Sequence, residues 1–302
     1  MTSSSLQPPP PRPPSSIPPP PPPVTYVRSS GTNWKDESRP PSVPYPEESR
    51  WGLGDAAIAT LIYFLTSVGL ALLVIVVLDV DPLDGPWFPI TLIVPQLSQL
   101  GFVVWTARRR GSGLGTDFGF AFQWQDLAIG AMLFVIGIVA AGVIGVTMDA
   151  AGVDPPTSAV AELTEEAVDG TEDDSGGGLV PGSGGVADDA DDADDDGSGI
   201  TIWIVIVAIL AATAVPVIEE LGYRGLWYSA LVKRGHSEWW AVVMSSFMFA
   251  IVHLEPARTP IIFVLGLVLG WGRKLTNRIG ASIVAHGIIN GLAFVALLTL
   301  LS

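Results

Sequence analysis

ITIWIVIVAILAATAVPVIEELGYRGLWY occupies residues 200–228, and its first 19 residues carry no charge. That is close to the roughly 20 apolar residues that take an α-helix across the hydrocarbon core. Glu219, Glu220 and Arg224 then follow within the same apolar run. An ionised group deep in a membrane helix costs on the order of 2.5–3.5 kcal/mol on insertion scales, so all three must face protein or water. Glu220 and Arg224 are i and i+4, hence on one face and able to pair. Glu219 points about 100° away around the helix. One carboxylate is thereby held by Arg224, and the other is left free to act as a base. Pro216 removes a backbone hydrogen bond just before them. It either opens the helix or is one of the prolines that membrane helices tolerate.

Working outward, six further apolar runs have comparable character: Ala56–Leu78, Trp87–Ala107 and Leu127–Met148 before this one, and Trp239–Leu254, Pro260–Leu275 and Gly280–Leu301 after it. Pro260–Leu275 is the weakest of these as a span because it is short. The chain is 49% hydrophobic and 15% charged, against about a quarter charged in soluble domains. The expected fold is all-α, a polytopic membrane helix bundle of about seven transmembrane helices. Four regions follow: a disordered Pro/Ser-rich tail at 1–50, three N-terminal spans at 51–148, an acidic Gly/Asp-rich loop at 149–199, and a four-helix region at 200–302. The tail lacks the apolar periodicity of a core and reads as partly polyproline II, a solvated leader rather than a docking arm. Asp149–Gly199 has no Lys or Arg and cannot bury enough apolar area to offset its ordering entropy, so a mobile loop is expected. Its carboxylates lack the glycine and acid spacing of an EF-hand.

Net charge is −15, and half of the 30 acidic residues lie between Asp154 and Asp196. The chain therefore offers no basic surface for nucleic acid. Without cysteine it has no disulfide, no thiolate metal site and no Cys nucleophile. No short apolar core follows a basic stretch at the N-terminus, so the first membrane helix is expected to direct insertion. Lys and Arg alternate along the connections: Arg28, Lys35, Arg39 and Arg50 before the first span, Arg108–Arg110 after the second, Lys233 and Arg234 after the fourth, and Arg273, Lys274 and Arg278 after the sixth. The positive-inside rule then puts the N-terminus in the cytoplasm of a multi-pass cell-membrane protein, with Trp87, Trp203, Trp239, Trp240 and Trp271 near interfaces.

Two more helices carry polar groups. The fifth ends in Phe249-x-x-x-His253 and the seventh contains His286-x-x-x-Asn290, both at i, i+4 spacing. Measured from the basic ends at about 1.5 Å per residue, Glu219 and His253 lie about 21 Å deep, His286 about 12 Å and Asn290 about 18 Å. Three helices thus bring polar side chains to overlapping depths. A lone membrane His or Asn is usually a bridge between helices. The set Glu219, Glu220, Arg224, His253, His286 and Asn290 exceeds what bridging needs. It suits amide hydrolysis by water: Glu219 and His253 hold and deprotonate the water, and His286 with the Asn290 amide donates to the developing oxyanion. No Ser or Cys nucleophile is required. A zinc alternative would use Glu219, His253 and His286 as an open three-ligand set. It ranks below metal-free water activation because there is no His-Glu-x-x-His, and no cofactor is expected. Two competing readings are a non-enzymatic immunity or scaffold protein and a proton-coupled transporter. The transporter predicts paired half-sites from an internal repeat, and the first three spans contain no matching acidic helix. Gly266 and Gly270, and Gly287 and Gly291, have the small-xxx-small spacing of closely packed helices, read as packing within the chain ahead of dimerisation.

Glu-Glu-x-x-x-Arg at 219–224, Phe-x-x-x-His at 249–253 and His-x-x-x-Asn at 286–290, in this order on successive apolar helices, resemble the CPBP family of CAAX-processing and bacteriocin-immunity membrane proteases, the Abi group. The resemblance covers about residues 200–300. It implies an intramembrane endopeptidase acting on a membrane-associated or CAAX-type, prenylated protein or peptide in the bilayer. It also implies that Glu219 is the catalytic base with His253, that Glu220 and Arg224 organise the site, and that His286 and Asn290 form the oxyanion hole. Members are often labelled metalloproteases, although the family's structural picture favours a glutamate-dependent, metal-independent mechanism.

Overall fold

The computed structural model describes residues 49–82, 85–153 and 202–300, side chains 297, 298 and 300 excepted. The expected Pro-rich tail beyond Ser49 and Arg50, and the expected acidic loop past residue 153, lie outside the described residues. Among the described residues the chain is all helical. α1 spans Leu53–Leu72 and continues in π-helical form over Leu73–Val77. α2 is Trp87–Arg110, α3 the short Leu114–Phe118, and α4 Gln125–Ala150. α5, Ile202–Ala212, and α6, Ala214–Glu220, run through a π-helical stretch, Leu221–Trp227, into α7, Tyr228–Lys233. α8 is Glu238–Ile251, α9 Thr259–Thr276 and α10 Gly280–Leu300.

Among the described residues, all seven apolar runs are mainly helical, and five segments are long and apolar enough to cross a membrane: Leu53–Val77, Trp87–Arg110, Gln125–Ala150, Ile202–Lys233 and Thr259–Thr276. The other two, Glu238–Ile251 and Gly280–Ala296, are shorter apolar helices. The Pro260–Leu275 run, the weakest expected span, lies in an 18-residue helix that extends it by one residue at each end, with Pro260 at the helix start, where its missing N–H costs nothing. Large aliphatic side chains such as Leu65, Val76, Val139, Val146 and Ile209 stand exposed along these helices. In water such a belt would be a liability; for a multi-pass membrane protein it is the lipid-facing surface.

Helix ends explain how the bundle is pinned. Asp55, Asp117 and Asp126 sit in first turns and accept backbone N–H bonds there: Asp55 from Gly52, Asp117 from Ser112 and Gly113, Asp126 from Gln123. Such acids satisfy orphan donors and favour the positive end of the helix dipole. Two also pair across the fold, Asp55 with Arg110 and Asp126 with Arg278. Lys233 at the end of α7 donates to Ser49 O, Ser49 Oγ and Trp51 O, and sits over the Trp51 ring.

α8 packs on α9, α4 on α9 and α10, α1 on α2, and α5 on α2 and α10. The α6–π segment contacts helices from both halves of the chain, α1, α2 and α3 as well as α8, α9 and α10. Its Leu221 and Leu226 join a buried cluster with Trp51, Val103, Phe118 and Ile279. Gly266 and Gly270 face α8, where an added Cβ would meet Ser246 Cβ at 2.9 Å and Val242 Cγ1 at 3.0 Å, and a Cβ on Gly287 would meet Ala212 O at 2.9 Å. The small residues thus serve contacts within the chain.

Candidate active site

The helix carrying the acids is interrupted on both sides of them. Pro216 has no N–H for the carbonyl four residues earlier, Ala212, and the helix breaks at Thr213, whose φ and ψ are −122° and −70°. The opening considered for Pro216 is therefore present, one turn upstream of it. Beyond the acids, the π-helical Leu221–Trp227 inserts an extra residue into the ladder, a distortion frequent at functional sites. Glu219 and Glu220 lie on the short regular turn between these irregularities.

The two neighbours meet different surroundings. Glu220 and Arg224 are both 0% exposed. Arg224 Nη1 donates to Glu220 Oε1 at 2.8 Å, and Nη2 donates to Gly266 O at 3.0 Å. His286 Nδ1 lies 3.0 Å from the same Glu220 oxygen. Glu219 points elsewhere, as the 100° offset requires, and its side chain keeps 12% exposure. Its Oε1 accepts from Gln96 Nε2 at 2.8 Å, and its Oε2 lies 3.6 Å from His286 Nε2. The His286 ring therefore stands between the carboxylates with one nitrogen toward each.

Phe249 organises the other wall. Its ring packs edge-on against His253 at 4.8 Å, His286 at 5.6 Å and Tyr223 at 5.3 Å, and the Arg224 guanidinium lies 4.4 Å from its centroid. His253 sits one residue past the helix cap at Val252 rather than within the helix, so counting its depth along the fifth span placed it on regular helix that has already ended. The following Leu254 has φ +55°, which turns the chain away. His253 Nδ1 lies 2.7 Å from Phe249 O. A carbonyl can only accept, so Nδ1 carries a proton and Nε2 is the nitrogen left to face outward from that bond. Asn290 meets the helix break: its Nδ2 donates to Ala211 O at 3.0 Å, supplying a carbonyl near the interruption.

Glu219, Glu220, Arg224 and His286 are thus in direct contact. His253 joins them through the Phe249 ring. Among the described residues, no hydrogen bond links His253 or Asn290 to either carboxylate. No group of three His, Asp or Glu side chains gathers at metal-ligand geometry among the described residues. Of the conditional zinc set, Glu219 and His286 are neighbours at 3.6 Å, whereas His253 is joined to them only through the Phe249 ring.

Residues 201–292 match one family model, type II CAAX prenyl endopeptidase Rce1-like. The match is consistent with the CPBP resemblance, and the Rce1-like region contains all seven residues of the three motifs. It supports a CAAX-type intramembrane protease family for this part of the chain. No curated protein and no solved structure matches the sequence.

Beyond the Rce1-like region, two side chains enter the site that the motifs do not include. Gln96 and Gln99 on α2 are 2% and 1% exposed. Gln96 holds Glu219, and the Gln99 side chain lies against Gly222, between the acids and Arg224. The available signal was two amides at i, i+3 in an otherwise apolar span, the pattern of polar groups turned toward a neighbouring helix.

Proposed function

We propose that the protein is an intramembrane endopeptidase that hydrolyses a peptide bond of a CAAX-type, prenylated or otherwise membrane-associated substrate, with Glu219 as general base. The observation that carries this reading is the unequal pair of adjacent carboxylates. Glu220 is fully buried with one oxygen shared by Arg224 and His286, whereas Glu219 keeps some exposure and has one oxygen held by Gln96 and the other facing His286 without a hydrogen bond. Two carboxylates in contrasting environments are the arrangement by which acid–base enzymes divide roles.

In this mechanism Glu219 takes a proton from water while the water oxygen attacks the scissile carbonyl carbon. His253, protonated at Nδ1 by its bond to Phe249 O, presents Nε2 as an acceptor for the second water hydrogen. The oxyanion is stabilised by His286 through Nε2 when that nitrogen is protonated, and by the second amide hydrogen of Asn290. Collapse breaks the C–N bond, and the proton on Glu219 passes to the leaving amine. Glu220 and Arg224 fix the His286 ring. The four-helix region from 200 to 302 would hold the catalytic residues, and the N-terminus would be cytoplasmic, since the basic connections fall on one side.

Glu219→Gln tests the reading. It keeps shape and removes the base, so purified protein in lipid nanodiscs should lose at least about 1,000-fold in kcat on a farnesylated CAAX peptide, about 4 kcal/mol of barrier. Its unfolding midpoint should stay near that of the unaltered protein. Cleavage that survives Glu219→Gln overturns the assignment.

A further inference from the structure

The side chain nearest to fixing Glu219 comes from neither its own helix nor the matched region. Gln96 lies on α2, 123 positions away in sequence, and its Nε2 donates to Glu219 Oε1 at 2.8 Å. The amide orientation follows from chemistry: an ionised carboxylate can only accept, so the NH2 end must face it. The other end, Gln96 Oε1, is fully buried and has no protein partner.

We infer that Gln96 is a positioning residue for the proposed hydrolysis: by holding Oε1 of the Glu219 carboxylate it leaves Oε2 to face the reacting water. The inference rests on the peptidase reading above and deepens it. A glutamate on a helix has three rotatable bonds, and general-base catalysis depends on holding the accepting oxygen in hydrogen-bond reach of the water. Glu220 obtains its fixity from Arg224 and His286. Glu219 has one hydrogen bond to a protein group among the described residues, and that is the one from Gln96. The first half of the chain therefore contributes to the reaction as well as to the membrane scaffold.

Three proteins separate this role from packing: the unaltered chain, Gln96→Met and Gln96→His. Met keeps length and bulk but has no N–H donor. His can place a ring N–H close to where the glutamine Nε2 lies. With the farnesylated CAAX peptide in nanodiscs, Gln96→Met should lower kcat about tenfold or more with KM within twofold, and its unfolding midpoint should remain within a few degrees. Gln96→His should recover kcat to within about threefold of the unaltered protein. A packing role predicts the reverse order, with Met tolerated and His not. The inference is overturned if Gln96→Met keeps half or more of kcat, if Gln96→His is as impaired as Met, or if Gln96→Met unfolds. No cleavage by the unaltered chain overturns the peptidase reading and this inference with it. Normal cleavage with an indifferent Gln96 overturns the inference alone.

Discussion

Glu220 and Glu219 are adjacent in sequence, yet they belong to two different regions of the molecule. Glu220 faces α9 and α10, where Arg224, the Gly266 carbonyl and His286 form a closed hydrogen-bonded knot with no exposure at either charged side chain. Glu219 faces α2, where Gln96 holds one of its oxygens, and its side chain keeps some access. In the proposed mechanism Glu219 acts as the base, while Glu220 and Arg224 serve stability and the orientation of His286. A rotation of about 100° between consecutive helical residues is all the backbone has to supply. Substitutions on the two sides should therefore fail in different ways: on the closed side by unfolding, on the open side by inactivity in a folded protein.

The largest stability effect is expected at Arg224. Arg224→Met preserves much of the aliphatic volume but strands Glu220 in a site without water. Removing one partner of a buried ion pair costs about 3–5 kcal/mol because the remaining charge is uncompensated. Thermal unfolding in detergent should show a lowered midpoint, in contrast to the unmoved midpoint expected for Glu219→Gln. Equal stability losses for these two variants would erase the distinction between the sides. A second change, Glu220→Gln on top of Arg224→Met, should regain part of the loss, since it removes the stranded charge.

The comparison also shows which features local patterning can reveal. The Glu220–Arg224 pair follows from i, i+4 spacing, and the membrane helices follow from apolar runs, because both are properties of one continuous segment. Gln96 meeting Glu219 is a contact between segments, and one helix's periodicity does not say which neighbour its polar face will meet. His253 was placed at helical depth because Phe249-x-x-x-His253 fits a helix. The helix instead ends at Ile251, where Leu254 takes a left-handed conformation with no glycine to announce it. Asn290 was assigned to the oxyanion by its register with His286. Its bond to Ala211 O depends on a break in another helix, which Pro216 hinted at without indicating what would satisfy the freed carbonyls.

A smaller effect tests how tightly the closed side is packed. Gly266→Ala would bring a methyl 2.9 Å from Ser246 Cβ, 3.2 Å from Ser246 Cα and 3.4 Å from Arg224 Nη2. Backbone is among these contacts, so α8 and α9 must separate rather than a side chain rotate. Overpacking of this kind costs about 1–3 kcal/mol. The same separation moves the Gly266 carbonyl that Arg224 Nη2 uses, so activity should fall together with the unfolding midpoint. A Gly266→Ala protein that is stable but inactive would mean that the closed side contributes to chemistry directly.

The smallest effect is expected from an ion pair of the same chemical type in the opposite environment. Glu255 and Arg258, in the turn after His253, pair at 2.5 Å with side chains 35% and 31% exposed. Water screens such a pair, and exposed pairs are worth about 0.2–1 kcal/mol. The turn has other supports: Glu255 O accepts from Arg258 N at 3.0 Å, from Thr259 N at 2.9 Å and from Thr259 Oγ1 at 2.9 Å, none of which involves the guanidinium. Arg258→Ala should therefore leave the unfolding midpoint within about a degree or two, and kcat within about twofold, because the turn still delivers His253 to Phe249. A tenfold loss of kcat without destabilisation would show that the Glu255–Arg258 clasp governs the placement of His253. The boundary between structural and chemical charge pairs would then lie in that turn, and not between the two faces of the α6 helix.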